Sequence, residues 1–548
     1  MKKWNVLSDK NVFESDEDVI NELLKLRNIT KNIREEFFSP DVRKLTLRAV
    51  GIDEKEFLKF SKRIHLALKN NEEVVIFGDY DVDGICASAI LWETLYIRSK
   101  NVKPYIPSRI EEGYGLSVKG IDKVLKHYPD LKLIITVDNG IVASDAVAYA
   151  NSKGIDVAIT DHHAKGATVP KAFCILHTTE LCGAGIAWLL AKELGFEGEK
   201  IFEKLELAAL ATIADLVPLN KWNRAIVVHG LKVLRRTKRP GLIELLAGAN
   251  LEKQNISVYS IGHVIGPRLN ASGRITHAID SLRLICTNDF QKAKVLAATL
   301  QHTNKDRQAM TEDAVAHARL SVEEMTEGKK ILVVADPSYA QGVVGLIASK
   351  LVEKYYIPSI AISVSDEISK GSARSINGVN IIELLRSVSD TLIEAGGHPM
   401  AAGFSILTKN IKKFEKAISE KAEVFESEIF KRKLTIDLPL DFSLMSFSLC
   451  EKISFLSPFG MGNPEPLFIS KNVTVDDVRL IGSGKRHLKL KLFQGKGKIL
   501  DAVGFGMAEN LELAKGDILH IVYTLDKNVW NGKESLQLKL KDFRSIEA

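Results

Sequence analysis

Three β-rich runs constrain this chain more than anything else in it. "EVVIFGDY" from residue 73, "LKLIITVDNG" from 131 and "GIDVAITDHH" from 154 each end in polar residues, and helical stretches such as "SDAVAYANSKG" separate them. Short apolar strands alternating with helices predict a parallel sheet covered by helices. In such sheets ligands sit outside the carboxyl ends of the strands. All three polar clusters fall at those ends.

The first cluster, "DYDVDG", sets Asp79, Asp81 and Asp83 at every second position. Carboxylates this close repel one another, so either their pKa values rise or a cation neutralises them. The cation is the better account. An EF-hand loop also opens D-x-D-x-D-G, but it requires a Glu six residues after its Gly and a helix in front. Position 90 is Ile, and a strand precedes.

Asp138 stands before Asn-Gly, a common hairpin turn. The following "IVASDAVAYANSKG" reads as helix and not as a returning strand, which puts Asp138 at the sheet's carboxyl edge. His162 and His163 add imidazole, a common ligand of divalent metals, after the third strand. Asp215 lies in the apolar run "LELAALATIADLVPL"; an ionised carboxylate is costly to bury there unpaired, with a helix cap before Pro218 as the alternative. Together these side chains predict a cage of carboxylates and imidazole. Oxygen-dominated ligation favours Mg²⁺ or Mn²⁺ over zinc, and there are enough carboxylates for two ions.

At 548 residues, 45% hydrophobic and 26% charged, the chain can bury more than one core. A net charge of +6 permits a polyanionic partner without demanding one. The five cysteines, Cys86, Cys174, Cys182, Cys286 and Cys450, show no CxxC spacing, which argues against a zinc ribbon or a disulfide framework. No membrane span is expected, nor a secretory signal, because "MKKWNVLSDKNVFESDED" has no apolar run before its acids. A cytoplasmic location follows as the expectation. "GSGKR" at 482 to 486 lacks the upstream Gly and the Ser/Thr of a P-loop, so no ATP is expected.

The first seventy residues read as a polar helical preface. A long helix from about residue 290, free of Gly and Pro until Gly328, is expected to join two domains. "KKILVVADP", "GVVGLIASKLVEKYY" and "GGHPMAAGFSI" form a second α/β unit. From about residue 433 short strands and Gly-rich turns predict a small β-barrel. Within it "KRHLKLKLFQGKGK", residues 485 to 498, holds six Lys or Arg and no acid. Period-two alternation puts Leu488, Leu490 and Leu492 on one face and Lys489, Lys491 and Phe493 on the other, a basic surface with an aromatic platform suited to single strands.

The motifs "DYDVDG", "VDNG", "TDHH" and "ATIADLVPL" resemble those of the DHH phosphoesterases, and "GGHPMAAG" is similar to the glycine-rich motif of their accessory DHHA1 domain. "RIEEGYGLS", "LCGAGIAW", "GPRLNASGRI", "KGSARSI" and "PFGMGNPEPLF" extend the resemblance to the RecJ-type single-strand-specific exonucleases over nearly the whole chain. The resemblance implies a helical segment at 1–72 packed on the DHH domain, the DHH domain at 73–289, a connecting helix at 290–328, a DHHA1 domain at 329–432 and an OB-like domain at 433–548. It implies removal of 5′ mononucleotides from single-stranded DNA, in DNA repair and recombination. A single-strand-binding protein or a helicase would supply the strands.

Carried over by position, the resemblance implies that Asp79, Asp81, Asp83, Asp138, His162 and Asp215 surround two divalent ions, Mn²⁺ or Mg²⁺, with Asp138 bridging and His163 facing the scissile phosphate. Two such ions clamp the attacking and leaving oxygens of an in-line displacement. Arg109, Arg268, Arg274, Arg374 and His398 fall in motifs that contact phosphates, and Arg's planar fork suits that task. Gly396 and Gly397 would let the backbone approach a phosphate. Where relatives carry Trp-His before "GVVG", this chain has Tyr339 and Ala340, so a polar contact from that loop is not expected. Two other functions fit less well: a phosphodiesterase of short oligonucleotides or cyclic dinucleotides has no use for the barrel, and a non-catalytic single-strand-binding scaffold has none for the acid cage.

Overall fold

The computed structural model describes residues 2–109, 111–323, 328–508, 513–530 and 532–546, and they form two compact units. The larger comprises Val42–Val217 and Ala225–Arg432. Its first sheet has five parallel strands, β1 (Glu73–Phe77), β2 (Val102–Tyr105), β3 (Leu131–Val137), β4 (Asp156–Asp161) and β5 (Cys174–His177), in the order β2-β1-β3-β4-β5. The central strands are buried along almost their whole length because helices cover both faces, which is why they read as continuous apolar runs. The helices that matter below are α1 (Val82–Tyr96), α2 (Gly183–Leu194), α3 (Leu205–Ala214), α4 (Gly266–Ile275) and α5 (Phe290–Glu323).

The expected connecting helix is α5, 34 residues long; its end beyond residue 323 lies outside the described residues. It leads to a mixed five-stranded sheet formed by Leu332–Asp336, Ser359–Ser363, Ile368–Arg374, Glu394–His398 and Ala401–Leu407. The last hairpin pairs Glu394–His398 with Ala401–Leu407 and leaves the former at the sheet edge. Tyr339 is buried, and its hydroxyl meets His317 Nδ1 of α5 at 2.9 Å, so this loop is tied inward.

The smaller unit comprises Met1–Asp41, Pro218–Arg224 and Lys433–Ala548. Strands Phe468–Ile481, His487–Phe493, Leu500–Gly504, Lys533–Ser545 and Ile518–Trp530 pair in that order, and a further pairing of the first with the last closes a five-stranded barrel. The expectation of an N-terminal segment packed on the parallel sheet is corrected for its first half. Lys3–Val6 pairs in parallel with Lys433–Ile436. Phe13, Val19, Leu23 and Leu24 share one core with Leu488, Leu490 and Leu492 of the barrel, and Arg27 bonds Asp437 at 3.0 Å. The amphipathic spacing of these residues was legible, but not which apolar surface they cover. From Val42 onward the preface belongs to the larger unit, where Glu54–Lys69 packs beside β5.

All five cysteines are free. Among the described residues no helix is long and apolar enough to cross a membrane.

Candidate active site

Each candidate acid is positioned by a backbone device. The turn after β1 begins at Gly78, where a Cβ would lie 2.0 Å from Ser88 Oγ of α1. Gly84, in the first turn of α1, is equally tight, since a Cβ would meet the Asp79 backbone at 2.5 Å. The acidic loop is thereby pressed onto its own helix. Asp81 is the N-cap of α1, its Oδ1 accepting from Asp83 N at 2.9 Å and Gly84 N at 3.1 Å. Asp83 accepts from Gly183 N and Ala184 N, both at 2.7 Å, at the start of α2, where the helix dipole favours a negative charge. Asp138 sits after β3 with φ of 64°, a left-handed conformation uncommon for a side-chain-bearing residue, and Gly183 leaves room for it, since a Cβ there would lie 2.5 Å from Asp138 Cβ. Asp215 follows the last turn of α3 and is more open, its side chain 30% exposed.

These residues converge. His162 Nε2 lies 3.0 Å from Asp138 Oδ1, 3.6 Å from Asp83 Oδ2 and 3.7 Å from Asp215 Oδ2. Three sets offer ligand atoms within 4.8 Å of one another: Asp79, Asp81 and Asp138; Asp83, His162 and Asp215; and Asp138, His162 and His163. All seven cage residues expected from the sequence are thus brought to one place, and Asp138 belongs to two sets.

The electrostatics mark the same place. Burial, then the charge of neighbouring carboxylates, pushes Asp79, Asp81 and Asp138 above the usual carboxylate range, and burial with Asp83 and Asp81 pushes Asp215 up to about 8. Asp79 Oδ1 and Asp138 Oδ1 are buried and accept no hydrogen bond; His162 Nε2, although near the latter, is not aligned with it. Orphaned anionic oxygens at this density fit hard divalent cations, with the carboxylates and one imidazole as a suitable donor set.

A residue without an assigned role in the sequence reading completes the arrangement. Asp161 ends β4 and accepts from Ile141 N at 2.9 Å, His162 N at 2.7 Å, and His163 N and Nδ1 at 3.1 and 2.8 Å. It fixes the orientation of His163, whose Nε2 meets the Tyr114 hydroxyl at 3.1 Å. Burial disfavours the His163 charge, but the bond to Asp161 and the nearby carboxylates outweigh it and hold its pKa at about 9. His162, with burial dominant, is shifted down. The available signal was the third polar cluster: its carboxylate lies on the strand beside Asp138, whereas the adjacent histidines drew the attention. Asn270 of α4 likewise had no assigned role; its Oδ1 accepts from Val82 N and anchors the acidic loop.

The expected phosphate ligands divide. Exposed Arg109, Arg374 and Arg307 of α5, the last not foreseen, stand close enough to Arg274 to depress its pKa, and Arg109 depresses that of Arg374 as well. Burial is the main cause and pushes Arg274 down to about 10. None of the four makes an ion pair with a described carboxylate; Arg374 donates to Ser372 Oγ and Ala373 O, and Arg307 to Asn304 Oδ1. The His398 ring stacks toward His163 at 6.5 Å between centroids, so the second sheet reaches the cage. Arg268 stands apart from this cluster, bonded to Gln301 Oε1 and Val264 O. Gly397 needs to be glycine for a local reason, with φ of 140° and Ala401 O 2.5 Å from any Cβ, whereas Gly396 faces open space. On the barrel Leu488, Leu490 and Leu492 are buried, Lys491 is exposed, and Lys489 and Phe493 are half-buried. Asp477 and Asp501, from the neighbouring strands, stand opposite Lys491 and dilute the basic face.

The chain matches models of the DHH family N-terminal domain over residues 73–217, the DHHA1 domain over 328–424 and the RecJ OB domain over 436–542. It is 38% identical over 495 residues to the single-stranded-DNA-specific exonuclease RecJ of Bacillus subtilis, covering 88% of this chain but spanning only 62% of that relative's length. To the RecJ of Salmonella typhimurium it is 31% identical, with 87% of this chain and 88% of the relative covered. A crystal structure of Thermus thermophilus RecJ in complex with Mn²⁺ superposes with a TM-score of 0.83 at 29% identity, covering all of this chain and 80% of that one. Three models matched in order, together with relatives above 30% identity covered over most of their length, show that the chain belongs to the RecJ family of DHH proteins.

Proposed function

We propose that this protein is a metal-dependent exonuclease that hydrolyses single-stranded DNA from the 5′ end and releases 5′ mononucleotides. The observation that carries the reading is the meeting, in one unit, of a buried acid cage with no Arg or Lys bonded to it and an arginine cluster with no carboxylate bonded to it, among the described residues. The first calls for divalent ions and the second for phosphates.

Asp79, Asp81 and Asp138 would hold one Mn²⁺ or Mg²⁺, and Asp83, His162 and Asp215 the other, with Asp138 shared. Ions held there would supply the charge that acidifies an attacking water and offsets the negative charge on a leaving oxygen. The protein's own groups do the rest. Asp161 keeps His163 charged at neutral pH, so that the imidazolium offsets the phosphate's negative charge. Arg109, Arg274, Arg307 and Arg374 bind the phosphates with forked donors and fix the strand in register. The barrel face with Lys489, Lys491 and Phe493 would hold a longer strand by charge and stacking. With no ATP motif to drive unwinding, the enzyme takes strands exposed by a helicase or coated by a single-strand-binding protein, in the cytoplasm, in DNA repair and recombination.

The test is direct. Strands labelled at the 5′ or the 3′ end are incubated with Mn²⁺ or Mg²⁺ and sampled early. Labelled mononucleotide from the 5′ end, abolished by a chelator, is expected; release from the 3′ end alone, or none, overturns the reading.

A further inference from the structure

Between the acid-bearing end of α3 and the start of α4 the chain makes a turn of π-helix, Ile261–Ile265. Such turns are rare and recur at functional sites. This one is pressed against the last turn of α3: a Cβ at Gly266 would lie 3.6 Å from Ala214 Cβ, and one at Gly262 4.0 Å from Ile213 Cγ2. The next residue after Ala214 is Asp215 of the cage. On the outer side of the turn, Tyr259 and His263 lie face to face, ring centroids 4.4 Å apart and planes 15° from parallel.

The pair is turned to solvent. Tyr259 is 68% exposed, and His263 Nδ1 is held by Tyr259 O at 3.3 Å, which fixes the rings as one unit. A surface tyrosine ordinarily lays its ring along apolar neighbours; here the ring partner is an imidazole and the outer face is bare. Arg268 supplies the adjoining charge. Its Nη1 bonds Val264 O within the same turn, its Nε bonds Gln301 Oε1, and no described carboxylate neutralises it. A flat aromatic face beside an uncompensated guanidinium, on a turn that packs against the helix end leading to Asp215, is the combination that holds unpaired bases.

We propose that Tyr259 and His263 form a stacking platform for an unpaired nucleobase of the strand whose phosphate lies at the acid cage, with Arg268 on the adjoining phosphate. The inference rests on the single-strand reading above and adds a base-binding position that the cage and the arginine cluster do not provide. Because every base has a π face, the platform tolerates any sequence. It also explains why Arg268 stands apart from the other arginines: it serves a neighbouring nucleotide. As a plain surface contact, the pair would contribute to helix stability alone, and the two roles separate by experiment.

Strands carrying 2-aminopurine at successive positions are bound to the full chain, with Asp138→Asn to stop turnover. One position is expected to show strong quenching, lost in Tyr259→Ala and Tyr259→Leu and kept in Tyr259→Phe and Tyr259→Trp. In the cleaving enzyme, Tyr259→Ala should raise KM about five- to tenfold, more than it lowers kcat. Leu keeps the apolar bulk without the π face, so its pairing with Phe tests stacking as such. Quenching that is unchanged in the Ala and Leu variants, or a KM within twofold of the parent, overturns the platform while hydrolysis by the parent leaves the exonuclease reading standing. Failure of the parent to hydrolyse single strands would instead remove the reading on which the platform rests.

Discussion

The larger unit contains two buried acid clusters, and the chain treats them in opposite ways. Around Arg239, Glu93 is bound bidentately at 2.6 and 2.8 Å, Glu206 at 2.6 Å, and Lys204 bonds Glu197 at 2.7 Å and approaches Glu93 at 3.4 Å. Burial disfavours the Glu93 charge, yet Arg239 outweighs it and holds Glu93 below the usual carboxylate range; at Glu206 the same guanidinium only offsets burial in part, and its carboxyl stays above that range. At the cage no Arg or Lys bonds any of the five acids among the described residues, and burial wins at Asp79, Asp81, Asp138 and Asp215. A buried carboxylate set that carries its own cations is scaffolding; one that lacks them is a receptacle for cations from outside.

The contrast is broken most severely at Asp138. Asp138→Ala removes the oxygen common to two ligand sets, and hydrolysis should fall roughly 10³-fold or more, since an ion's charge stabilisation of several kcal/mol corresponds to a decade per 1.36 kcal/mol. Binding of single strands should persist. Near-parental turnover would end the proposal that the cage is catalytic. Arg239→Met is the mirror experiment: it strands Glu206 without a counter-charge, leaves Glu93 only Lys204 at 3.4 Å, and should cost about 3–5 kcal/mol of unfolding free energy. A urea midpoint close to the parent's would show that the network is not structural.

Asp161 tests the border between the two behaviours, because it is a buried carboxylate satisfied by N–H donors and a histidine, not by Arg or Lys. Asp161→Asn keeps the shape but presents an amide N–H₂ where only donors converge. It should lower activity, through the His163 ring that it orients, or the apparent Mn²⁺ affinity, through the His162 backbone that it holds, by about 10–100-fold. Titrating Mn²⁺ at fixed substrate separates the two. An unchanged titration with unchanged turnover would reduce Asp161 to a strand-end cap.

What could be read from the sequence follows the same distinction. The parallel sheet was legible because runs such as Val74–Phe77 are buried on both faces and so are continuously apolar. The acids of the cage were legible because charge at strand ends has few cheap explanations. Asp161 carried the same strand-end signal, but its role arises from four donors that the fold gathers from three residues. Arg307 lies on a helix of ordinary polar composition, and only packing beside Arg274 singles it out. The destination of the first forty residues was hidden for a different reason. Leu23 and Leu24 have helical spacing that suits any apolar surface, and it is the strand pairing of Lys3–Val6 with Lys433–Ile436, more than 400 residues away, that selects the barrel.

The smallest expected effect sharpens the comparison without touching catalysis. In chelator-treated protein, Asp215 has a folded-state pKa of about 8, raised by burial first and then by Asp83 and Asp81; its unfolded value is about 3.9. The folded state therefore binds the proton more tightly than the unfolded one. A raised carboxyl leaves stability intact below the unfolded pKa and erodes it as pH climbs toward the folded pKa, here between about pH 4 and 8. The melting temperature of the metal-free parent should thus fall as pH rises from 5 to 8. Asp79, Asp81 and Asp138 push the same way, so Asp215→Asn should flatten the slope in part, by on the order of a few degrees at pH 8. Saturating Mn²⁺ should remove the slope in the parent, because a bound cation lets the carboxylates ionise without repulsion. Glu93, held below the usual range, responds in the other direction and loses its contribution only as pH falls through that lowered value. Equal slopes in parent and Asp215→Asn would mean that this carboxylate is already compensated in the metal-free protein, and the difference between the two clusters would then not extend to it.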